Sequence, residues 1–123
     1  MAAFPSASHA APLSAEETRW VTAALTSITV VIKCDGYDMF ENGMRGFGDV
    51  NGVDWVIFGP AVGAAVAAIN GDDYKRADLI PEVTRLVTAT LKAINDSLIK
   101  DKPTFCKQWG DTLVSKGILW VKK

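Results

Sequence analysis

Three long stretches of the chain place apolar residues three and four positions apart, the spacing that forms one face of an α-helix. In the first stretch, Ser14 and Glu17 have the spacing of a capping box, so we predict a helix that begins after Ser14 and ends near Lys33. A β-branched run from Thr29 to Cys34 leaves a strand as the competing interpretation of its last part. The predicted apolar stripe consists of Trp20, Ala24, Leu25, Ile28, Val31 and Ile32.

The second and third stretches predict further helices. From Trp55 to Gly71 the chain has no charged residue and is rich in alanine and glycine, which favours a closely packed helix. The third helix is expected to have Asp78 as its N-cap and to end near Lys100. Its apolar stripe consists of Val83, Leu86, Val87, Leu91, Ile94 and Leu98.

A last helix is predicted near the carboxyl end. Pro103 is expected to break the chain, and Thr104 is expected to cap a helix that ends near Gly117. Phe105, Trp109 and Leu113 recur at intervals of four along it. The apolar residues 118–121 are then expected either to pack back on the other helices or to belong to a helix that continues.

The remaining segments are rich in residues that form turns. Residues 35–52 predict a long connection with a turn at Asn42 and Gly43, with room for a short helical piece from Tyr37 to Glu41. Residues 1–13 show neither helical nor strand periodicity and are predicted to be a flexible tail. We therefore predict a single all-α domain over residues 14–123, a bundle of four or five helices.

Composition and charge exclude several classes of protein. Apolar residues make up 49% of the 123 residues and charged residues 22%, as in an ordinary globular domain. The thirteen Lys and Arg are balanced by fourteen Asp and Glu, so we expect no nucleic-acid partner. The uncharged stretch from Trp55 is shorter than the ~20 apolar residues of a membrane-spanning helix and contains Pro60, so we expect no membrane span.

Candidate catalytic chemistry is sparse. His9 is the only histidine and lies in the predicted tail, which removes every histidine-dependent triad. Asp35, Asp38 and Glu41 share a spacing of three, but they are typical of a solvated acidic turn. We therefore predict a non-enzymatic protein with no cofactor and no metal site.

Two cysteines, Cys34 and Cys106, leave two alternatives. They are either a pair of small buried thiols or a single disulfide between two helix ends, and the disulfide requires an oxidising compartment. Of the four tryptophans, Trp20 and Trp109 lie on apolar stripes and are expected in the core. Trp55 and Trp120 are candidates for surface anchors.

The segment from Leu98 to Phe105, LIKDKPTF, followed by Gly110, resembles the fungal hydrophobic-surface-binding protein A family, which includes cell-wall mannoproteins with lipid-binding domains. The order of the helices is similar over roughly residues 20–117. The resemblance implies a secreted helical bundle that holds fatty acids or other apolar molecules in its interior or coats apolar surfaces. It implies no catalytic residue.

Our functional hypothesis is an apolar small molecule, a fatty acid or a similar lipid, bound inside the bundle. The alternative is a helical interaction module that forms a homo-oligomer or binds a partner through Trp55, Phe58 and the alanine-rich face. The residues predicted to line the ligand site are Leu25, Ile28, Val62, Val66, Leu86, Leu91, Ile94, Leu98, Phe105 and Trp109.

Overall fold

The computed structural model describes residues 12–123 and confirms a small helical bundle. Residues 1–11, which include His9 and most of the predicted tail, lie outside the described residues. The four helices are α1 (Ala15–Lys33), α2 (Gly43–Asn51), α3 (Trp55–Asn70) and α4 (Pro81–Ser115), with a 3-10 turn at Arg76–Asp78 before α4. Two short strands, β1 (Tyr37–Met39) and β2 (Leu119–Val121), complete the fold.

Helix α1 begins at the predicted capping box. The Glu17 amide donates to Ser14 Oγ at 3.0 Å, and the Ser14 amide donates to Glu17 Oε1 at 2.8 Å. The helix continues to Lys33, so the strand interpretation of residues 29–34 is wrong. Burial of Val30 and Cys34 in the core outweighs the β propensity of that run.

Two residues of the predicted α1 stripe are exposed. The helix is covered on most sides from Trp20 to Ser27, whereas beyond Ser27 Val30 is buried and Val31 is half-buried against the core. Ile28 and Ile32 lie on the uncovered side and are 46% and 69% exposed. Their regular spacing therefore marks a surface at this end of the helix.

Residues 35–52 contain more structure than the predicted connection. The expected helical piece from Tyr37 to Glu41 is wrong, because residues 37–39 form β1, antiparallel to β2 with Asp38 opposite Trp120. Residues 43–51 form α2, which ends at Gly52 in the left-handed conformation. The predicted return of residues 118–121 to the bundle is confirmed, and β2 is the element that makes it.

Helix α3 confirms the second predicted helix. It ends at Gly71, whose positive φ of 78° suits glycine. Its buried side consists of Phe58, Ala61, Val62, Ala64 and Ala65. Within residues 12–123, no helix combines the length and the hydropathy that crossing a membrane requires.

The start of α4 differs from the prediction. Asp78 lies in the 3-10 turn and is not the N-cap. Ile80 occupies the N-cap position without a side-chain hydrogen bond, and Pro81 follows as the first helical residue. Proline is well suited to that position because a first-turn amide has no partner within the helix.

Helix α4 changes direction at Asp101, whose φ of −162° and ψ of 84° are not helical. The Asp101 carboxylate accepts hydrogen bonds from the Thr104 amide at 3.2 Å and from its hydroxyl at 2.7 Å. The second limb is therefore capped by Asp101, and the predicted cap at Thr104 is wrong. Pro103 falls in the first turn of this limb, where its missing amide hydrogen costs little.

The two limbs of α4, residues 81–100 and 102–115, fold back on each other. Ala89 and Trp109 line one and the same pocket. In a straight helix their Cα atoms would be about 30 Å apart, at ~1.5 Å per residue. The break therefore turns one long helix into two packed limbs.

Of the two alternatives for the cysteines, the structure has the disulfide. Cys34, directly after α1, is bonded to Cys106 in the second limb of α4, with their Cα atoms 5.6 Å apart. The bond closes a separation of 72 residues. It holds the end of α1 against the limb that follows the reversal.

Candidate functional site

The surface between α1 and the two limbs of α4 carries a groove of about 290 Å³, which we call the Trp109 groove. Helix α1 forms one wall and the limbs of α4 form the floor and the other wall. The groove exists because the reversal at Asp101 brings the two limbs side by side. Its lining residues are Thr22, Thr26, Ala89, Thr90, Ala93, Ile94, Ser97, Phe105 and Trp109.

Two neighbouring depressions extend this groove along the bundle. One, of about 200 Å³, shares Thr22, Thr26 and Trp109 with it and reaches Arg19 and Lys116. The other, of about 240 Å³, shares Ser97, Phe105 and Trp109 with it and reaches Lys100. Trp109 borders all three, so they form one elongated surface with charged residues at both ends.

Three threonines of the groove and its extension contribute little polarity. Thr22 Oγ1 donates to the Thr18 carbonyl at 2.8 Å, and Thr26 Oγ1 donates to the Thr22 carbonyl at 2.7 Å. Thr112, in the extension, likewise donates to the Gln108 carbonyl. Because these three hydroxyl protons are used within their own helices, Thr22, Thr26 and Thr112 present methyl groups and few donors to a ligand.

Small side chains make the depression. Ala89 and Ala93 are exposed on the first limb, across the groove from Trp109. An alanine leaves open the space that a leucine would fill. The groove therefore has room beside a large aromatic surface.

The charged groups stand at the ends of the groove. Lys116 Nζ lies 5.8 Å from the centroid of the Phe47 ring and belongs to no ion pair within residues 12–123. Arg19 makes one long, half-exposed contact of 3.9 Å with Glu16, which is worth little in water. At the opposite end, hydrogen bonds from Thr104 lower the pKa of Asp101 below its usual value.

The structure brings three of the ten predicted ligand residues together in the groove, namely Ile94, Phe105 and Trp109. Leu25 and Val62 are buried in the core, and Ile28 lies on the exposed side of α1. The others are half-buried and pack against the core: Val66, Leu86, Leu91 and Leu98.

Trp109 does not lie in the core as expected, because it is 36% exposed. The ring faces the alanines and threonines of the groove, which are too small to cover it. Sequence reasoning also missed Thr22, Thr26, Ala89 and Ala93, because it searched for large apolar side chains. The available signal was the spacing of Ala89, Ala93 and Ser97, which marks a small-residue face beside the apolar stripe.

The described part of the chain offers little for metal or nucleophile chemistry. Within residues 12–123 no group of three or more His, Cys, Asp or Glu side chains could hold a metal ion. Both cysteines are in the disulfide.

Comparison with protein-family models, with curated proteins and with solved structures found no match. The fold itself defines the class, a small disulfide-linked helical bundle with a two-stranded ribbon.

Proposed function

We propose that this protein binds a fatty acid or a similar apolar molecule with an acidic head group, in the Trp109 groove. The observation that carries the proposal is the groove wall, where Ile94, Phe105 and Trp109 stand beside Thr22 and Thr26, whose hydroxyl protons are already used. This wall favours a hydrocarbon chain, because a polar ligand would lose hydrogen bonds to water there without gaining equivalent ones from Thr22 and Thr26.

The charged ends suit the head group. Lys116 and Arg19 lie where the apolar wall ends, so a carboxylate there would meet two cations while its chain lies along Trp109. Both cations are exposed, and their contribution to affinity is therefore small. We expect the chain to provide most of the binding energy and the head group to set its direction.

The resemblance to the hydrophobic-surface-binding protein A family leads to the same proposal. The segment that carries it, Leu98 to Phe105, contains the reversal at Asp101. That reversal creates the groove, so the resembling residues have a direct part in the proposed site. The proposed ligand lies in the Trp109 groove, between α1 and α4, where it remains in contact with solvent.

We also propose that the protein is secreted. The bond between Cys34 and Cys106 supports this, since disulfides persist in oxidising compartments. The proposed function involves no metal, no cofactor and no catalytic step.

The proposal is tested by filling the groove. Ala93→Leu places a larger side chain opposite Trp109, on an exposed helical position that accepts leucine readily. We expect calorimetry with decanoate to show affinity at least about tenfold lower for this variant, because the chain and the leucine compete for one space. Asn95→Leu, on the exposed surface outside the groove, is the matched control and should bind like the wild type.

Two results would contradict the proposal. If A93L binds decanoate as well as N95L does, the ligand does not occupy this groove. If neither variant nor the wild type takes up decanoate, the fatty-acid proposal is wrong.

A second candidate function is self-association through α3. Val56 and Ile57 are 63% and 54% exposed on a helix without any charge, which favours a partner at that surface. Phe58, Ala61, Ala64 and Ala65 are buried and cannot contact a second copy. Val56→Glu should lower the apparent mass in sedimentation equilibrium if this surface joins two copies, and should leave it unchanged if it does not.

A further inference from the structure

A second pocket lies on another side of the bundle, between α1, β1, α2 and α3, and we call it the Trp55 pocket. Its volume is about 420 Å³, within the ~300–1,000 Å³ typical of small-molecule sites. It shares no lining residue with the Trp109 groove. Its lining residues are Trp20, Met39, Glu41, Met44, Arg45, Trp55, Val56, Gly59 and Pro60.

The two indoles of this pocket are held in place. Trp20 Nε1 donates to the Met44 carbonyl at 2.8 Å, and Trp55 Nε1 donates to Asp49 Oδ1 at 2.9 Å. Gly48 of α2 allows both rings to approach, because a β-carbon there would lie 2.9 Å from Trp20 Nε1 and 3.2 Å from Trp55 Cδ1. The aromatic walls are therefore fixed before any ligand arrives, which lowers the entropy cost of binding.

The rim of the pocket carries one charge of each sign. The Arg45 guanidinium carbon lies 4.8 Å from the centroid of the Trp55 ring, a cation-π contact that positions it at the rim. Glu41 stands on the same rim, and no ion pair joins the two side chains. A carboxylate and a guanidinium that border one pocket without pairing are both free to bind a ligand.

We propose that the Trp55 pocket binds a small aromatic zwitterion of the kind that a free aromatic amino acid represents. The ligand ring packs against Trp55, the methionine side chains and the exposed 4% of Trp20, all of which favour aromatic partners. The ligand carboxylate pairs with Arg45 and its ammonium pairs with Glu41. This site is independent of the fatty-acid groove and does not rest on it.

The test is an NMR titration with L-phenylalanine that follows the indole N–H signals, assigned with single Trp→Phe variants. We expect saturable shifts of the Trp20 and Trp55 signals, while the Trp109 signal stays in place. Phenylacetate lacks the ammonium and phenethylamine lacks the carboxylate, so each should bind about tenfold more weakly. Alanine lacks the ring and should cause no shift.

Two variants separate the roles of the charges. Arg45→Gln and Glu41→Gln each change one exposed side chain and should each weaken L-phenylalanine binding about tenfold. Arg76→Gln, in the exposed 3-10 turn, should leave binding unchanged. Unchanged backbone spectra of the variants establish that the fold is intact.

Four results would overturn the proposal. If the Trp20 and Trp55 signals do not respond to L-phenylalanine, the pocket does not take this class of ligand. Equal binding of phenylacetate removes the role of Glu41, and equal binding of phenethylamine removes the role of Arg45. A shift confined to Trp109 would place the ligand in the other groove.

Discussion

The ring of Tyr37 occupies the space where any residue other than glycine at position 110 would carry its β-carbon. A β-carbon built on Gly110 would lie 2.6 Å from the phenol oxygen. This contact joins β1 to the second limb of α4, and the Tyr37 hydroxyl also donates to Asp111 Oδ1 at 3.4 Å. Burial first, and then the negative charge of Asp111, raise the pKa of Tyr37.

Gly110→Ala should therefore destabilise the protein. The methyl group has to displace the Tyr37 ring, and overpacking of this kind costs roughly 1–3 kcal/mol. Gly46→Ala is the control, because no atom outside α2 lies within 4 Å of the added carbon. Removing a helical glycine there should stabilise the protein by roughly 0.5–1 kcal/mol. Urea denaturation measures both, and equal midpoints for the two variants would contradict the contact.

Removing the disulfide should also destabilise the protein. Cys34→Ala combined with Cys106→Ala frees a separation of 72 residues in the unfolded chain. We expect a loss of about 2–4 kcal/mol of unfolding free energy, the usual range for native disulfides. Denaturation of the wild type with and without reductant gives an independent measure. A loss below about 0.5 kcal/mol in both experiments would show that the bond adds little to the fold.

Ser27 is fully buried, and its hydroxyl has no hydrogen-bond partner in the structure. Ser27→Ala removes a polar group whose burial is uncompensated, so we expect about 1 kcal/mol of added stability. Thr26→Val is the contrasting variant, because the buried Thr26 hydroxyl donates to the Thr22 carbonyl. It should destabilise by about 0.5–1.5 kcal/mol in the same thermal denaturation experiment. Destabilisation by S27A would reveal a partner for the hydroxyl.

The cap at the α4 reversal should depend on pH. Hydrogen bonds from Thr104 lower the pKa of Asp101 in the folded protein, so the stabilising effect of the cap is present above the unfolded pKa of about 4. It is lost as the pH falls through the lower folded value. Thr104→Val should raise the pKa of Asp101 in an NMR titration of its carboxyl carbon, whereas Thr104→Ser keeps the hydroxyl and should not. Identical titrations of the two variants would show that the Thr104 hydroxyl does not hold Asp101.

The helices that the sequence predicts are those whose ends are marked by nearby residues. The capping box at Ser14 and the glycine at position 71 mark their helix ends within a few residues, without reference to the rest of the fold. The break in α4 was also predictable from Pro103, although the cap lies at Asp101, two residues earlier. Asp and Thr both serve as N-caps, so the sequence alone did not distinguish Asp101 from Thr104 as the cap.

The parts that the sequence did not predict depend on distant contacts. Strand β1 exists because it pairs with β2, some eighty residues further along the chain. Helix α2 contains Gly43 and Gly48, which disfavour a helix locally but allow close approach to the Ile118 backbone and to Trp20. The candidate groove was predicted in part, because Ile94, Phe105 and Trp109 belong to apolar stripes, whereas its alanine and threonine walls carry no strong pattern.

The most direct test of the proposed function is an NMR titration of the wild-type protein with decanoate, following the indole signals of its four tryptophans. Trp109 borders the groove and all its extensions, whereas Trp20 and Trp55 line the other pocket. We predict a saturable shift of the Trp109 signal alone. No shift, or a shift at Trp20 and Trp55 without one at Trp109, would contradict a fatty-acid site between α1 and α4.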